Sequence, residues 1–376
     1  MRFPGFEGEW EEQCLETFMY SRDERQIPSP DAPLMAFIAK LGVAPKGERY
    51  DREYLVKSKD KEYKRTEFND FIYSSNNLDV GSIGLNKYGR AVISDVYEIF
   101  TMKDGYAPEF ISELVQRPRN LHKVLRFRQG CLYGQYRIYA SDFLSVKLLA
   151  PDNEEQFKIA GFLQQIDTRI TAQRRLVELL KKHKRGLLRY VFEENIEGDY
   201  YSFSEIASRR NEKITPTKDS RLDCIELENI EQETGMLLGS VPLSGQNSLK
   251  NLCKPSDIVF GKLRPYLRKF VFAENECAVS SETWVLVAAK GIYPKFLFYL
   301  IQSEPFMRAA SVSSGTKMPR SEWSNVANAK FYVPDRTQQE TIAACFSEID
   351  RRILTSQRIL TAAQAYKRGL LQQLFV

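Results

Sequence analysis

Two stretches of 42 residues decide the fold: PDNEEQFKIAGFLQQIDTRITAQRRLVELLKKHKRGLLRYVF at 151–192 and PDRTQQETIAACFSEIDRRILTSQRILTAAQAYKRGLLQQLF at 334–375. Aligned without a gap at a spacing of 183 residues, they share 16 identical positions. Composition alone does not produce so many matches, and an internal repeat of this kind governs the whole architecture. The chain therefore carries one structural unit twice.

Both stretches follow a helical period. Alternating steps of four and three residues, starting from equivalent isoleucines, reach ten positions in each copy, of which eight are apolar. The polar exceptions match between the copies, Gln173 with Ser356 and Lys184 with Lys367. A 3.5-residue period over this length predicts a coiled-coil seam. We therefore predict two long helices that pair antiparallel, because two unrelated amphipathic helices would not explain the matched exceptions.

The ends of these helices are also marked in the sequence. Each repeat begins with Pro-Asp, and proline followed by acidic residues favours the first turn of a helix. Gly186 and Gly369 come late in the repeats, where we expect each helix to weaken or end.

The segments before the two helices correspond more weakly. DFIY at 70–73 corresponds to DIVF at 257–260, and each is followed by a strand pattern and then by a short helix that starts near Pro108 or Pro294. Strands, a short helix and a basic loop predict an α+β globule that is present twice. We expect the globules and helices to be related by pseudo-two-fold symmetry. The predicted domains are a first globule, a first helix, a second globule and a second helix, at 1–150, 151–193, 194–333 and 334–376. Residues 20–68 match their counterpart around 202–255 poorly, which leaves the edge of the first globule open.

Composition excludes several classes of protein. The 376 residues are 43% hydrophobic and 27% charged, and no apolar run approaches the roughly 20 residues of a membrane helix. The start of the chain lacks the apolar region of a secretory signal. Six scattered cysteines without a CxxC pair and only two histidines argue against a disulfide framework, a zinc site or a histidine-based triad. We therefore expect a cytoplasmic protein that binds no metal and no membrane.

Motifs for catalysis are missing as well. The sequence contains neither the glycine-rich loop and Asn/Asp-Pro-Pro-aromatic motif of a methyltransferase nor the phosphate-binding loop of an ATPase. The net charge is +5, and the positive charge is concentrated locally at 113–150 and 254–269. Such stretches suit the binding of polyanions, although basic stretches are also common as solvated surfaces. The pattern indicates a binding protein without cofactor or active site.

The twin motif Pro-Asp-x3-Gln-x2-Ile-Ala-x5-Ile-Asp-x-Arg-Ile … Lys-Arg-Gly-Leu-Leu-x3-Phe resembles the conserved helical regions of specificity subunits of type I restriction-modification systems. The segments at 257–264 and 314–319 look like the target-recognition domains of that family, and residues 2–10 look like its usual start. The resemblance implies that two recognition domains each read one half of a bipartite double-stranded DNA target. It further implies that the helices form an antiparallel coiled coil that docks methyltransferase (modification) subunits, expected to be two, in a complex with restriction subunits.

Within that resemblance, basic and amide side chains of the loops are the candidate DNA contacts. In the second domain they are Lys262, Arg264, Thr316, Lys317 and Arg320. In the first domain they are Arg126, Arg128, Gln129, Tyr133, Gln135 and Arg137. The candidate contacts to partner subunits are the charged residues of the helices, Asp167, Arg169, Lys184, Arg185, Asp350, Arg352, Lys367 and Arg368. For each candidate DNA contact, the alternative is a surface cation or loop residue that does not contact DNA. For some of the helix residues, ion pairs within the chain are the plainer explanation.

Two other functions stay open at this point. The chain could be a coiled-coil scaffold or decoy whose globules bind protein, or it could be an enzyme with a fused methyltransferase or nuclease activity. The sequence does not reveal the DNA target, the spacer length, or which candidates contact bases rather than phosphates.

Overall fold

The computed structural model describes residues 2–38, 42–45, 60–75, 78, 82–132, 135–194, 199–312 and 318–375. The chain forms two compact units, one of Met1–Thr171 together with Ala362–Val376 and the other of Ala172–Thr361. Each unit therefore contains one globule and a portion of both long helices.

The first globule is built from short strands and short helices that precede the first long helix. In chain order they are β1 (Glu11–Cys14), α1 (Leu15–Phe18), β2 (Met19–Ser21), β3 (Arg25–Gln26), β4 (Ala36–Ile38), β5 (Gly42–Ala44), β6 (Tyr63–Thr66), β7 (Phe71–Ser74), β8 (Ile83–Leu85), β9 (Ala91–Ile93), β10 (Tyr97–Met102), α2 (Pro108–Gln116), α3 (Pro118–Leu125), β11 (Gln129–Leu132), β12 (Gln135–Arg137), α4 (Ala140–Leu144), β13 (Lys147–Ala150) and the long α5 (Asn153–Arg189).

Strands of the first globule pair into small sheets. The order β2-β10-β7-β8 forms one sheet and β3-β6-β9 another, while β11 and β12 form a hairpin. The globule closes on itself, because β1 pairs antiparallel with β13 directly before α5. Its core stacks buried aromatic rings, among them Phe71, Tyr73, Phe100 and Phe143, against α2 and the start of α5.

The second globule follows a short π-helical turn, Tyr190–Glu194. Its elements are β14 (Asp199–Ser202), α6 (Phe203–Ile206), β15 (Ala207–Arg209), β16 (Lys213–Ile214), β17 (Asp223–Ile225), β18 (Val241–Pro242), β19 (Lys250–Cys253), β20 (Ile258–Gly261), β21 (Phe270–Phe272), β22 (Cys277–Val279), β23 (Thr283–Ala288), α7 (Pro294–Leu300), α8 (Glu304–Ser311), α9 (Trp323–Ala327), β24 (Lys330–Val333) and the long α10 (Arg336–Leu374). Three 3-10 turns at Leu227–Asn229, Leu243–Gly245 and Pro265–Leu267 lie in the described part of its loops.

The topology of the first globule recurs in the second. The sheet β15-β23-β20-β21 repeats β2-β10-β7-β8, and β14 pairs with β24 directly before α10 as β1 pairs with β13. A turn with a left-handed residue precedes β7 and β20, at Asn69 (φ 67°) and Ser256 (φ 72°). The carboxylate that follows closes each turn, since Asp70 accepts from an amide at 2.7 Å and Asp257 accepts from one at 2.8 Å. The weak sequence correspondence of the globules thus reflects a shared backbone.

The Pro-Asp-x3-Gln motif builds the same helix start twice. Asp152 caps α5 by accepting from the amide three residues on at 2.9 Å, and Asp335 does the same for α10 at 2.9 Å. The side-chain amides of Gln156 and Gln339 donate back to the preceding proline carbonyls at 3.0 and 2.9 Å.

At the other end of the long helices, the expectation that the glycines mark helix ends is wrong. α5 continues past Gly186 to Arg189, and α10 continues past Gly369 to Leu374. Leu187 and Leu188 pack against the core of the second globule, and Leu371 packs in the core of the first. This packing carries each helix onward.

Within each unit the two long helices run in opposite directions. In the second unit, the Gln173 side chain donates to the Ser356 carbonyl at 3.0 Å, and Leu188 near the end of α5 shares a core with Phe346 near the start of α10. In the first unit, the start of α5 shares a core with the end of α10, through Ile159 and the leucines 371 and 374. The predicted antiparallel pairing and the α+β fold class are confirmed.

The second matched polar exception forms an ion pair in each unit. Lys184 Nζ lies 2.7 Å from Asp350 Oδ1 in the second unit, and Lys367 Nζ lies 2.7 Å from Asp167 Oδ1 in the first. Lys184 corresponds to Lys367 and Asp167 to Asp350 in the repeat, so the lysine of each copy pairs with the aspartate of the other copy. This exchange of partners is the pattern of a pseudo-two-fold pair of helices.

None of the helices in the described ranges is both long enough and apolar enough to cross a lipid bilayer.

Candidate DNA-recognition surfaces

Two backbone segments of the second unit meet at its surface and bring together three predicted DNA contacts. The amide of Arg264 donates to the carbonyl of Pro319 at 2.8 Å, and the amide of Ser321 donates to the carbonyl of Lys262 at 2.8 Å. The residues between them form an antiparallel β-bridge. Lys262, Arg264 and Arg320 therefore lie side by side on a backbone that hydrogen bonds hold in place.

Arg264 occupies an unusual backbone conformation within this cluster. Its φ is 53°, in the left-handed region that favours glycine, and its side chain is exposed. Strain of this kind is concentrated at binding and catalytic sites. Arg268 (φ 50°) is also left-handed, but its guanidinium is bound to Glu304 at 2.6 Å. Arg264 has no ion-pair partner among the residues that the structure describes, so its charge faces solvent.

A carboxylate holds the third member of the cluster. Arg320 donates from Nε to Glu282 Oε2 at 3.0 Å and from Nη2 to Glu282 Oε1 at 3.3 Å. These bonds lower the pKa of Glu282 and raise the pKa of Arg320, so both groups are charged at neutral pH. The carbonyl of Glu282 accepts from the amide of Lys262 at 3.0 Å. The carboxylate is thus fixed to the same backbone as the arginine that it holds.

A buried ion pair supports the strands behind this cluster. Arg210 binds both oxygens of Asp257, at 2.6 and 2.9 Å, and reaches Glu212 at 2.8 Å. The hydrogen bonds to Asp257 raise the pKa of Arg210. The first unit has the same arrangement, in which Arg22 lies 3.0 Å from Asp70. In the second unit the pair joins the segment after β15 to the turn before β20.

Next to the cluster lies an open cleft with a basic lining. Its walls come from the end of β15, from β16, from β19 and from the start of β23. They include Arg209, Lys213, Ser248, Asn251, Lys262, Glu282 and Trp284. The guanidinium of Arg209 lies 4.7 Å from the ring centre of Trp323, a distance that suits cation–π attraction.

Arg209 and Lys213 are not among the contacts predicted from the sequence. The signal for them was present as SRRNEK at 208–213, which holds three basic residues in six. Its one acid, Glu212, is engaged by Arg210 and by Lys254 at 2.8 Å. The stretch is short and carries a compensating acid, so a search for long basic runs passes over it.

In the first unit, the predicted contact Arg137 is likewise held by a carboxylate. Its Nη2 lies 3.3 Å from Glu98 Oε1, and its guanidinium lies 4.9 Å from the ring centre of Tyr139. Glu98 is 7% exposed and also binds Lys64 Nζ at 2.9 Å. The Arg137 side chain itself is 51% exposed. A buried carboxylate therefore anchors an exposed cation here.

The other predicted contacts of the first unit surround the β11–β12 hairpin. Arg126 is exposed at the end of α3. The Arg128 guanidinium lies 5.5 Å from the ring centre of Tyr136, and the Gln129 side chain donates to Asp142 at 2.6 Å. This surface carries cationic and aromatic side chains, but some of its hydrogen-bond donors already bind acceptors within the chain.

Some predicted contacts cannot be placed. Tyr133, Thr316 and Lys317 lie outside the described residues, and of Gln135 the structure describes only the backbone, in β12. The first-unit candidates and the second-unit candidates after α8 nevertheless belong to the same place in the topology, between the third and fourth short helices of each globule.

The residues predicted to contact partner subunits divide into two groups. Four of them form the exchanged ion pairs of the long helices: Asp167, Lys184, Asp350 and Lys367. Lys184 is only 4% exposed, and burial lowers its pKa against the attraction of Asp350. A side chain so placed has little surface to offer to another protein.

The second group lies on the outer surface of the helices. Arg185 lies 3.3 Å from Glu233, and Arg352 lies 2.9 Å from Glu348 on its own helix. Arg169 and Arg368 are exposed and have no ion pair with any residue of the described ranges. Arg169, Arg185, Arg352 and Arg368 stay predictions for a partner surface.

Metal-ligating side chains and the Cys224 thiol bear on whether the described residues support other chemistry. No three His, Cys, Asp or Glu side chains of the described residues come together as a metal site needs. Burial, with Glu226 nearby, raises the pKa of the Cys224 thiol to about 11, so it stays protonated at neutral pH.

Comparisons with known proteins agree with this architecture. No family model matches the sequence. The chain is 23% identical to the type I restriction enzyme MjaVIII specificity subunit of Methanocaldococcus jannaschii over 303 residues, which are 69% of this chain and 71% of that protein. It is 27% identical to the type I restriction enzyme HindI specificity subunit of Haemophilus influenzae over 135 residues, 34% of this chain and 29% of that protein.

The fold has a counterpart among solved structures. The S subunit of a type I restriction-modification system from M. genitalium superposes with a TM-score of 0.58 at 14% sequence identity, over 98% of this chain and 96% of the other. At that identity the likeness shows the fold alone, but the fold extends over the full repeat of globules and helices. The chain is thus similar in sequence to type I restriction enzyme specificity subunits, and similar in fold to an S subunit of a type I restriction-modification system.

Proposed function

We propose that the chain is a non-catalytic, cytoplasmic DNA-binding specificity subunit whose two globules each recognise one half of a bipartite duplex target. The recognition domains would be residues 1–150 and 194–333, and the helical segments at 151–193 and 334–376 would be the spacers that follow them. The observation that carries the proposal is the recurrence of an exposed, carboxylate-held arginine at one topological position. Arg137 lies three residues before α4, and Arg320 lies three residues before α9.

The chemistry of the two surfaces suits duplex DNA. Exposed cations such as Arg264 and Arg126 can neutralise phosphates, which supplies the salt-dependent part of affinity. Fixed arginine and amide groups can contact base edges in the major groove, which supplies sequence choice. The loops of the two globules differ in sequence, so the two half-sites should differ and the target should be asymmetric.

We propose that the paired helices dock two copies of a modification subunit, which supplies methyl transfer, and that restriction subunits join the same complex. Gly186 and Gly369 support this surface. Each lies inside a helix, and apart from that helix's own backbone no atom lies within 4 Å of the place where a Cβ would stand. Glycine inside a helix costs about 1 kcal/mol relative to alanine. Since none of the described neighbours requires glycine at either position, close approach of another chain is a physical reason for its presence there.

Apolar side chains on the helices of the second unit strengthen the docking proposal. Leu176 and Leu179 on α5 are 44% and 53% exposed, and Ile359 on α10 is 52% exposed. Leu176 and Ile359 are equivalent positions of the repeat. Because the equivalent residue is apolar and exposed in both copies, a partner that binds both copies in the same way fits better than chance exposure.

The test is to co-express the chain with its modification subunit in cells that lack other DNA methyltransferases and to map the methylated bases. We expect methylation of one asymmetric sequence that is split by a spacer. This methylation should disappear when the chain is omitted. A scaffold or decoy whose globules bind protein would leave the methylation pattern independent of this chain. Binding of S-adenosylmethionine by the isolated chain would instead support the enzyme alternative.

A second measurement separates DNA binding from protein binding. The purified chain is titrated onto target and scrambled duplexes at two salt concentrations. We expect tighter binding to the target, and an affinity that falls with salt as phosphate contacts require. Arg264→Ala should weaken both duplexes and reduce the salt dependence by about one phosphate contact. Arg351→Ala removes an exposed arginine from the long helix and serves as the matched control.

A further inference from the structure

We infer that Arg320 reads a guanine in the half-site of the second domain, and that Glu282 is the positioning residue that prepares it to do so. The inference rests on the proposed DNA-binding function and adds the identity of one base contact. The sequence alone leaves open whether Arg320 meets a base or a phosphate, and the geometry of the Glu282 pair distinguishes the two.

The free edge of the Arg320 guanidinium is the first argument. Guanidinium carries five N–H donors in one plane. Glu282 accepts from Nε at 3.0 Å and from Nη2 at 3.3 Å. Of the three remaining donors, two lie on the Nη1–Nη2 edge as parallel N–H groups. That edge matches the N7 and O6 acceptors of guanine in the major groove, which is the commonest specific arginine contact with DNA.

Restraint of Arg320 is the second argument. A free arginine loses about 2 kcal/mol of rotamer freedom when it is held in one orientation. Here the neighbouring backbone is bound to Lys262 through Ser321, and the carbonyl of Glu282 is bound to Lys262 as well. The backbone segments of Arg320 and Glu282 are therefore both hydrogen-bonded to Lys262 before DNA binds. A phosphate contact depends less on a single orientation, because a point charge on a flexible stem, such as lysine, also binds phosphate.

The surroundings of Arg320 supply the third argument. The Arg320 side chain is 52% exposed, and the backbone on either side of it is hydrogen-bonded to Lys262 and Arg264, while Glu282 is the carboxylate of the cluster. Exposed ion pairs contribute little to folding. The adjacent cations can take the phosphates on either side of the base pair that Arg320 contacts.

An exposed arginine bound to a carboxylate also occurs in the first unit. Arg137 occupies the equivalent place, three residues before a short helix, and is bound to Glu98 and stacked near Tyr139. Only one hydrogen bond joins it to its carboxylate, so its orientation is less tightly fixed than that of Arg320. We expect Arg137 to contact the other half-site.

The experiment begins with the methylation map of the full chain with its modification subunit. Arg320→Ala should relax one G·C pair of one half-site to any base and leave the other half-site unchanged. Arg320→Lys keeps the charge but loses the two parallel N–H donors. It should therefore relax the base preference at the same position while most of the affinity for DNA is retained. Arg137→Ala should relax a position in the opposite half-site.

Binding by the full chain then tests the atoms. A target duplex carrying 7-deazaguanine at the relaxed position lacks the N7 acceptor but keeps its base pairing. The wild-type chain should lose about 10-fold in affinity for this duplex, within the range for one bidentate base contact. Arg320→Ala should bind the normal and modified duplexes equally. Glu282→Gln should lose part of the discrimination, because the tether is weakened while the arginine remains.

Arg351→Ala is the matched control, since Arg351 is an exposed arginine bound to both oxygens of Glu348 at 2.7 and 2.8 Å on the long helix. It should leave the half-sites unchanged. If Arg320→Ala weakens binding to all duplexes equally and leaves the methylated sequence unaltered, Arg320 contacts a phosphate. That result would overturn this inference but not the proposed function. A wild-type chain that directs no specific methylation would overturn the proposed function, and the inference with it.

Discussion

The two exchanged ion pairs of the long helices come from identical residues but lie in different surroundings. In the second unit, the side chains of Lys184 and Asp350 are 6% and 26% exposed. In the first unit, those of Lys367 and Asp167 are 19% and 50% exposed. Since the paired lysine and aspartate are the same in both units, the residues that surround each pair must determine how strongly it is desolvated.

The residue that each globule contributes accounts for the difference. In the second unit it is Tyr299 of α7, whose ring centre lies 5.4 Å from Lys184 Nζ and whose hydroxyl lies 3.0 Å from Asp350 Oδ2. In the first unit it is Glu113 of α2, whose carboxylate lies 3.5 Å from Lys367 Nζ. An aromatic ring covers the lysine and excludes water, whereas a second carboxylate keeps the lysine at a solvated edge. One repeat thus produces a buried pair and a partly solvated one.

Removing the two lysines should expose this difference most strongly. Lys184→Met leaves the Asp350 carboxylate without its partner under a buried ring, so we expect a loss of about 3 kcal/mol in the free energy of unfolding. Lys367→Met breaks a pair that water screens, so we expect a loss of about 1 kcal/mol or less. Urea unfolding of the full chain, with hydrogen exchange to locate the loss, measures both.

Two results would break the comparison of the ion pairs. Equal losses for the two variants would mean that the globules do not set the environment of the helices. A small loss for Lys184→Met, with hydrogen exchange near Asp350 unchanged, would mean that the pair is not held in the buried form. Asp350→Asn combined with Lys184→Met is the control, because it removes the stranded charge and should recover part of the stability.

Local periodicity explains why the helices could be predicted so fully. The seam, the Pro-Asp start and the matched exceptions at Gln173/Ser356 depend on neighbours within a few residues, and the structure places Gln173 against Ser356 as the repeat requires. The expectation at the glycines was wrong because glycine weakens a helix on average, whereas here the leucines that follow it pack against a core and the helix continues. Tertiary contacts decided that point.

The strands that close each globule could not be predicted in the same way. β1 reads EEQC and pairs with β13, whose residues come more than 130 positions later. A short polar strand has no alternation to identify it, and nothing local specifies a partner at that distance. The recurrence of Arg137 and Arg320 was hidden for a related reason. The two arginines are 183 residues apart, but the variable loops around them share too few residues to align until the short helices α4 and α9 are seen to correspond.

Tyr299 should make the second unit sensitive to alkaline pH. Burial, together with the nearby Asp350 carboxylate, raises the pKa of Tyr299 above its ordinary value of 10. The unfolded chain then releases the phenol proton at a lower pH than the folded chain does. The stabilising contribution is therefore complete below pH 10 and is lost above it, by up to about 1.4 kcal/mol per pH unit.

Tyr299→Phe tests this dependence directly. At pH 7 the variant loses the hydroxyl contacts to Asp350 and Ser347, which should cost about 1 kcal/mol. As the pH rises past 10, the wild-type chain should approach the variant in stability, because only the wild type loses the contribution of this phenol. Unfolding curves collected between pH 7 and 11 measure the difference, and a constant difference over that range would refute the assignment.

Gly186 and Gly369 should show where the two units are alike rather than different. At both positions the space that a Cβ would occupy is open, so alanine should fit in either helix without displacing a neighbour. Gly186→Ala and Gly369→Ala should therefore each raise the free energy of unfolding by about 0.5–1 kcal/mol, through helix propensity. Urea unfolding of each single variant and of the double variant measures the gain, which should be additive because the two glycines belong to different units.

The same two substitutions also test the proposed docking surface. If another chain approaches the helices closely at these glycines, the added methyl groups should weaken co-purification with the modification subunit even though the chain itself is more stable. Stabilisation with undiminished co-purification would separate the glycines from the partner surface. Destabilisation in one unit alone would show that its helix is packed differently from its repeat, because helix propensity by itself acts equally at both positions.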